Sequence, residues 1–400
     1  MRSVDAGATP TDGRLWVFQA LEWMTMVSTR PAVLIAGAGP TGLAAALLLA
    51  RRGVSVRIID TALQPSMYSK ALAVNSRTLE VLQDTGVSDC IVAAGWAVQG
   101  ASLHQHDRVV LQFDLPTTLG VRHAMTVLPQ ARTEAMLAEA LQAQGVSVER
   151  GVTLKTLTQD DAQVTATLQH LDGREEQAQS ALLFGADGAH SAVREALGLD
   201  FAGSNLAEPW SLWDLQLHTS LDPWRAHILF EPDGFVFVLR LQDDQWRVIG
   251  NGNDPLAALR RIGSLGVVSW QSQFHIGHRV AAQAGVGRVA LGGDAAHIHS
   301  PLGARGMNLG IEDAYVYADC AADALAGDPA RLHDYAVLRH QVHKAVVRRI
   351  GAITQLVHGR PPWLRWMRDE VVPLAGHLAF ARQLMLRTVG GLDHPLKTRP

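Results

Sequence analysis

The sequence predicts an α/β protein: a Rossmann-like nucleotide-binding domain with an inserted antiparallel β-sheet and C-terminal helices. Three observations predict it. Residues 32–60 read as strand, glycine turn, helix and strand. Residues 210–252 read as strand after strand, separated by polar turns. Beyond residue 328 the pattern is largely helical, broken at Pro361-Pro362.

In the first stretch, residues 33–36 are a short apolar run suited to a buried parallel strand. Gly37, Ala38, Gly39, Pro40, Thr41 and Gly42 then form G-x-G-x-x-G. Gly37 permits the tight turn, Gly39 lets the backbone approach a pyrophosphate, and Gly42 lets the helix pack on the strand. Residues 43–52 form the helix, stopped by Gly53, and residues 54–59 form the second strand. Asp60 closes that strand roughly twenty residues after the first glycine, where an acid bonds a ribose hydroxyl. The helix N-terminus offers N–H groups and partial positive charge to phosphate.

Composition narrows the class. The chain has 400 residues, enough for two or three domains, with 48% hydrophobic and 18% charged residues, as in a globular protein. A net charge of −3 and a pI near 6.6 do not suit a nucleic-acid binder. Cys90 and Cys320 are the only cysteines, which excludes a disulfide framework and fits a reducing cytoplasm. No run of about 18 uncharged apolar residues predicts a membrane span. Residues 1–30 lack the features of a signal peptide and read as a poorly ordered extension, despite Trp16, Phe18 and Trp23.

Residues 70–86 form a helix after a loop, with Lys70 and Arg77 near its start. Cations there oppose the helix dipole, so they read as phosphate binders or as a solvated face. Residues 98–127 are strand-like. His104 and His106 alternate there without a third ligand, so no metal is expected. Residues 128–145 form a helix. Residues 146–149, 152–157 and 163–168 read as a β-meander inserted into the α/β domain.

At residues 181–194 an apolar strand runs into Gly185, Asp187 and Gly188, and Ser191 precedes a helix carrying Arg194. Asp187 is read either as a ligand-facing acid or, with Ser191, as a helix cap. Strands are expected at 210–218, 226–230, 235–241 and 246–251, where Trp213, Phe235 and Phe237 face an aromatic substrate or pack the core. Residues 288–314 hold a short strand ending in Gly292-Gly293-Asp294, a loop with Pro301, Gly303 and Gly306, and a helix over 307–325. Asp294 suits a ribose or ribityl hydroxyl. His297 and His299 lie near an acid but lack a third metal ligand. Residues 332–357 and 363–386 read as two further helices.

GAGPTG at 37–42, GADGAHSAVR at 185–194 and GDAAHIHSPLGARGMNLGIEDA at 293–314 stand in this order. Together they resemble the ADP-binding, Asp-Gly and Gly-Asp motifs of the group A flavoprotein monooxygenases, the para-hydroxybenzoate hydroxylase-like aromatic hydroxylases. The resemblance runs from about Pro31 to Leu325. It implies a Rossmann-like FAD-binding domain over 31–97, 128–200 and 285–327. A substrate-binding β-sheet domain takes 98–127 and 201–284, and a helical region 328–400.

By this resemblance Gly37, Ala38, Gly39, Pro40, Thr41, Gly42, Asp60, Lys70, Arg77, Gln130, Asp187, Gly188 and Asp294 bind the cofactor. Lys70 stands where the family usually has an arginine. Gly303, Ala304, Arg305, Gly306, Met307 and Asn308 form the loop facing the flavin, and many members read Gly-Gln at Ala304-Arg305. Pro301, Gly303 and Arg305 are the catalytic candidates, and Trp213, Phe237 and Pro301 the substrate contacts.

The implied chemistry is reduction of FAD by NAD(P)H, reaction with O2 to a C4a-hydroperoxide, and hydroxylation of a phenol-like or polycyclic aromatic molecule. His104, His123, His218 and His227 are candidates for a base. A monomer or homodimer is expected, with no nucleic acid and no metal. The thioredoxin-like domain of larger hydroxylases is not expected, since residues 328–400 read as helical, and the halogenase W-x-W-x-I-P motif is not found. A flavin reductase or desaturase without oxygen insertion, and a non-catalytic nucleotide-binding scaffold, are the competing readings.

Overall fold

A computed structural model describes residues 30–65, 71–115, 119–121 and 123–400. The extension expected over residues 1–30 lies outside them except for Arg30, and so does Lys70.

Val33–Ala36 is apolar at all four positions and buried at all four, as a strand covered on both faces must be. It sits inside a six-stranded sheet of order Gly285–Val286, Val289–Leu291, Leu182–Gly185, Val33–Ala36, Val56–Asp60 and Val148–Arg150. All pairs are parallel except the Gly285–Val286 hairpin. Alternate side chains of the central strand serve two cores. Val33 and Ile35 pack with Leu43 and Leu47 of the Pro40–Ala50 helix and Ile311 and Tyr317 of the Gly306–Leu325 helix. Leu34 and Ala36 pack on the other side with Leu154, Ala166 and Leu168 of a three-stranded meander.

The meander itself departs from the sequence reading. Its strands are Val152–Gln159, Val164–His170 and Glu175–Ser180. The segment expected as its first strand is Val148–Arg150, paired in parallel at the edge of the main sheet. Glu175–Ser180 reads EEQAQS and buries only Ala178 and Ser180, so no apolar run announces it.

The second sheet has eight strands, in the order His297–Ile298, Gly263–Ala281, Phe201–Thr219, Gln245–Gly250, Gly234–Gln242, Arg225–Glu231, Gly100–Gln105 and Arg108–Asp114. Among the described strands of this sheet, only Arg225–Glu231 and Gly100–Gln105 pair in parallel. Gly263–Ala281 has no counterpart in the sequence reading. Its middle is largely exposed, Val267 and Val268 included, and pairing along the Phe201–Thr219 strand makes it a strand. Side-chain parity divides this sheet. Trp210, Leu212, Phe235, Leu239 and Ile249 form one core. Trp213, Leu215, Val236, Val238, Trp246 and Val248 form the other, capped by Ala258 and Leu259 of the Pro255–Ile262 helix.

The Ala330–His358 helix ties the layers together, and its Tyr335 hydroxyl donates to the Leu291 carbonyl at 2.7 Å. The single helix expected over 363–386 is instead four pieces: Pro362–Trp366, a π-turn at Met367–Val371, Val372–Gly376 and Ala379–Val389. Pro373 lacks the N–H that would continue the ladder. Buried Arg368 draws the π-turn onto the carbonyls of Glu231, Gly234 and Val357.

Candidate functional site

The loops at the C-terminal ends of the parallel strands face one side of the eight-stranded sheet and enclose a cavity of about 1070 Å³. That is where open α/β sheets bind ligands.

The glycine turn forms one end. Gly37 has φ +100°, and an added Cβ would lie 2.2 Å from the Ala186 carbonyl oxygen, so only glycine fits. Gly42 is equally constrained, with its Cβ position 1.9 Å from the Gly37 oxygen. Gly39 differs: an added Cβ would meet nothing within 4 Å, and the residue borders the cavity with Pro40 and Thr41. Gly306, at the start of the Gly306–Leu325 helix, is open in the same way. Two helix N-termini thus present backbone to a space that an anion can occupy. Asp60 lies behind the turn. Its carboxylate accepts the Ala38 N–H at 2.6 Å and the Ala62 N–H at 2.7 Å, so it fastens Ala38 in place.

Asp187 and Ser191 act as the capping alternative describes. Asp187 accepts from the Ser191 hydroxyl at 2.5 Å and the Val193 N–H at 3.1 Å, and Ser191 accepts from the Arg194 N–H at 2.9 Å. Burial raises the Asp187 pKa, opposed by the Ser191 bond. Its neighbours Ala186 and Gly188 border the cavity. Buried Arg194 donates to the carbonyls of Ala189 and Ala295, joining this loop to the next.

Asp294 borders the cavity and is exposed. The turn that carries it is held by a group the sequence reading missed, Asp313. One Asp313 oxygen accepts from the Gly293 N–H and from His297 Nε2, both at 2.9 Å. The other accepts from Arg339 at 2.6 Å and His343 Nε2 at 2.7 Å. Burial works against the Asp313 charge, yet His343, Arg339 and His297 hold its pKa well below the carboxylate range. His297, Asp313 and His343 bring ligand atoms within 4.8 Å of one another, so a third partner for His297 does exist. Four donors already saturate the carboxylate, one of them a guanidinium, so the geometry is that of a polar clasp on the Gly293 turn. Two adjacent carboxylates, Glu312 and Asp313, inside the apolar stretch of residues 309–318 were the available signal.

Pro301, Gly303, Ala304, Gly306 and Met307 border the middle of the cavity. Asn308 is buried and fastens this loop, donating to the Ala304 carbonyl at 2.6 Å and the Ala73 carbonyl at 2.8 Å. Arg305 corrects an expectation. It reaches the cavity boundary, but its side chain is fully buried and ion-paired with Glu312 at 3.3 Å and Asp393 at 3.5 Å, so its charge is neutralised. Arg77 also differs. It donates to the carbonyls of Gly391 and His394 and pairs with Glu80, which places it on the C-terminal tail. Gln130 borders the cavity and donates to Glu134 at 2.7 Å.

The sheet wall carries Phe237, with Phe113, Phe230, Trp270 and Phe274. Trp213 packs in the core on the opposite face, so it is no substrate contact. Arg247 borders the cavity, held by Asp214 through two bonds of 2.8 Å and lying over the Trp270 ring at 5.2 Å. None of the four base candidates borders the cavity among the described residues. His104 and His227 bond each other at 2.9 Å on the back of the sheet, and His218 is exposed. The histidines that do border it are His275 and His299. His299 donates through Nδ1 to the Ser300 carbonyl, and burial, aided by His297, pushes its pKa down to about 3.

A family model described as "FAD binding domain" matches residues 30–248 and 257–350. The chain belongs to this family. The open backbone at Gly39 and Gly306, with Asp294 on the same cavity wall, is chemistry that suits FAD, whose pyrophosphate needs N–H donors and whose sugar and ribityl hydroxyls need acceptors. The chain is 37% identical over 369 residues to a 6-methylpretetramide 4-monooxygenase of Streptomyces rimosus, covering 86% of this chain and 64% of that protein. It is 31% identical to the pentachlorophenol 4-monooxygenase of Sphingobium chlorophenolicum, covering 83% and 66%. The chain thus spans just under two thirds of the length of these relatives. A p-nitrophenol 4-monooxygenase of Pseudomonas putida DLL-E4 shares the fold with a TM-score of 0.81 at 23% identity, over 91% of this chain and 98% of that one.

Proposed function

We propose that this protein is an FAD-dependent monooxygenase that uses NAD(P)H and O2 to hydroxylate an aromatic small molecule, phenol-like or polycyclic. The observation that carries the reading is the continuity of the cavity from Gly39 and Asp294, past residues 301–307, to the aromatic wall around Phe237. Ligand pockets span about 300–1,000 Å³. A volume near 1070 Å³ therefore accommodates a flavin ring and an aromatic substrate together. The names of the aromatic-acting relatives support the same substrate class.

FAD supplies hydride acceptance and oxygen chemistry when bound. The chain's own residues bind, orient and exclude water. The N-termini at Gly39 and Gly306 attract anionic groups. Asp294, placed by the Asp313 clasp, serves hydroxyls. The Gly306 helix dipole favours negative charge on a neighbouring ring. The apolar sheet wall keeps water from the reacting face. In this reading residues 31–97, 128–200 and 285–327 hold FAD, and 98–127 with 201–284 hold the substrate. Dependence on NAD(P)H suits a cytoplasmic setting, and among the described residues no helix is long and apolar enough to cross a membrane.

The deciding experiment supplies NAD(P)H, isotopically labelled O2 and a panel of simple and polycyclic phenols. Labelled oxygen in an identified product is expected. NAD(P)H oxidation that yields only hydrogen peroxide across the panel would favour the reductase reading. Asp294→Ala is expected to lose FAD while keeping the parent's circular dichroism, and full occupancy in that variant refutes its assignment.

A further inference from the structure

The loop at residues 301–308 carries two features that need support from outside it. Ala304 adopts φ +52°, a left-handed conformation unfavourable for a residue with a Cβ, next to Gly303 at +78°. The Arg305 guanidinium is fully buried and needs counter-charge. One counter-charge, Glu312, comes from the following helix. The other, Asp393, comes from the C-terminal tail and is itself 1% exposed.

That tail is fastened on every side. The Gly390 carbonyl accepts from the Ser76 hydroxyl at 3.0 Å, and the His394 carbonyl accepts from Arg77 at 3.2 Å. His394 bonds Glu312 at 2.7 Å through Nε2 and Asp393 at 3.0 Å through Nδ1. Asp393 also pairs with Arg349, which borders the cavity. Gly391, at φ +76°, presses on Arg305: an added Cβ would lie 2.6 Å from Nη1 and 2.9 Å from the Asn75 side-chain nitrogen. Arg339 stands 3.7 Å from Glu312 and shares it, as Arg349 shares Asp393, so Arg305 draws on both carboxylates.

We propose that residues 390–394 form a strap that positions the flavin-facing loop, with Asp393 as a positioning residue acting through Arg305. This rests on the reading that residues 301–308 face the flavin. A residue that only stabilised the fold would lower the melting temperature of the apoprotein without altering the bound flavin. The strap, acting through the 301–308 loop, alters how FAD is held.

The test titrates FAD into apoprotein of the full chain, as parent, Asp393→Asn and Asp393→Glu, with visible absorption spectra and far-ultraviolet circular dichroism of each. Asp393→Asn is expected to keep the parent's dichroism, bind FAD about tenfold more weakly or worse, and shift the flavin bands. Asp393→Glu is expected to return to within about threefold of the parent. Parent affinity and spectrum in Asp393→Asn overturn the proposal, as does a glutamate variant as weak as the asparagine one. Should Asp393→Asn fail to fold, Gly391→Ala keeps every charge and crowds Arg305, and unchanged FAD binding there overturns it equally. A parent that binds no FAD refutes the flavin reading instead, and the strap falls with it.

Discussion

Gly37 and Gly39 sit in one turn and answer to different constraints. Gly37 is required by the protein: its φ is +100° and the Ala186 carbonyl fills the space where a side chain would go. Gly39 has φ −77° and open space beyond it, so the fold tolerates a methyl there, while a phosphate seated as proposed would not. Gly37→Ala is therefore expected to destabilise the apoprotein by about 1–3 kcal/mol. Gly39→Ala is expected to leave apoprotein melting unchanged and weaken FAD binding about tenfold or more. Thermal melts and FAD titrations separate the two, and equal melting losses would sink the distinction. Both glycines were legible because the backbone sets their spacing. The partner of Arg305 was not, because Asp393 reaches it only through the folding of the C-terminal helices.

A strand presents alternate side chains to opposite faces, so each element of the eight-stranded sheet has two jobs. Trp213 and Phe237 read alike in sequence. Register puts Trp213 in the closed core with Trp246 and Phe237 on the cavity wall. Trp213→Ala is expected to cost about 3–5 kcal/mol of stability. Phe237→Ala is expected to spare stability comparatively and raise the substrate KM. Denaturant melts beside steady-state kinetics check both, and a KM effect in Trp213→Ala without a stability loss would reverse the assignment. The back face also holds the His104–His227 pair. His227 Nε2 donates to the Asp222 carbonyl at 2.9 Å, so its Nδ1 accepts from His104 and both rings are neutral. Burial, and then the facing His227, lowers the His104 pKa to about 4, while burial lowers that of His227. The unfolded chain takes up these protons first, so this contribution is complete above about pH 6.5 and is lost as pH falls towards 4. A loss of at most about 3 kcal/mol is expected from His104, and melts across that range should show a shallower slope in His104→Phe.

At the scale of the whole molecule, one cavity brings together the turns after three parallel strands, the 301–308 loop and the aromatic sheet wall, and in the proposed reading FAD spans them. Binding to the folded state alone stabilises it, by about 2.7 kcal/mol at a free concentration one hundred times Kd. Stripping FAD is expected to lower the melting temperature, and a melting temperature independent of FAD concentration would contradict the site. The sequence by itself determined the βαβ unit, the order of the three motifs and the presence of a second sheet. Each is written in local periodicity or backbone spacing, which neighbours in the chain dictate. Only the tertiary structure decided the rest. It placed Glu175–Ser180 and Gly263–Ala281 in sheets, because their pairing partners, not their own residues, make them strands. It spent Arg305 and Arg77 on the C-terminal tail, and it gathered Arg339 and His343 around Asp313 to hold the Asp294 turn. A buried charge takes whatever counter-charge folding brings within reach, and that distance is not recorded along the chain.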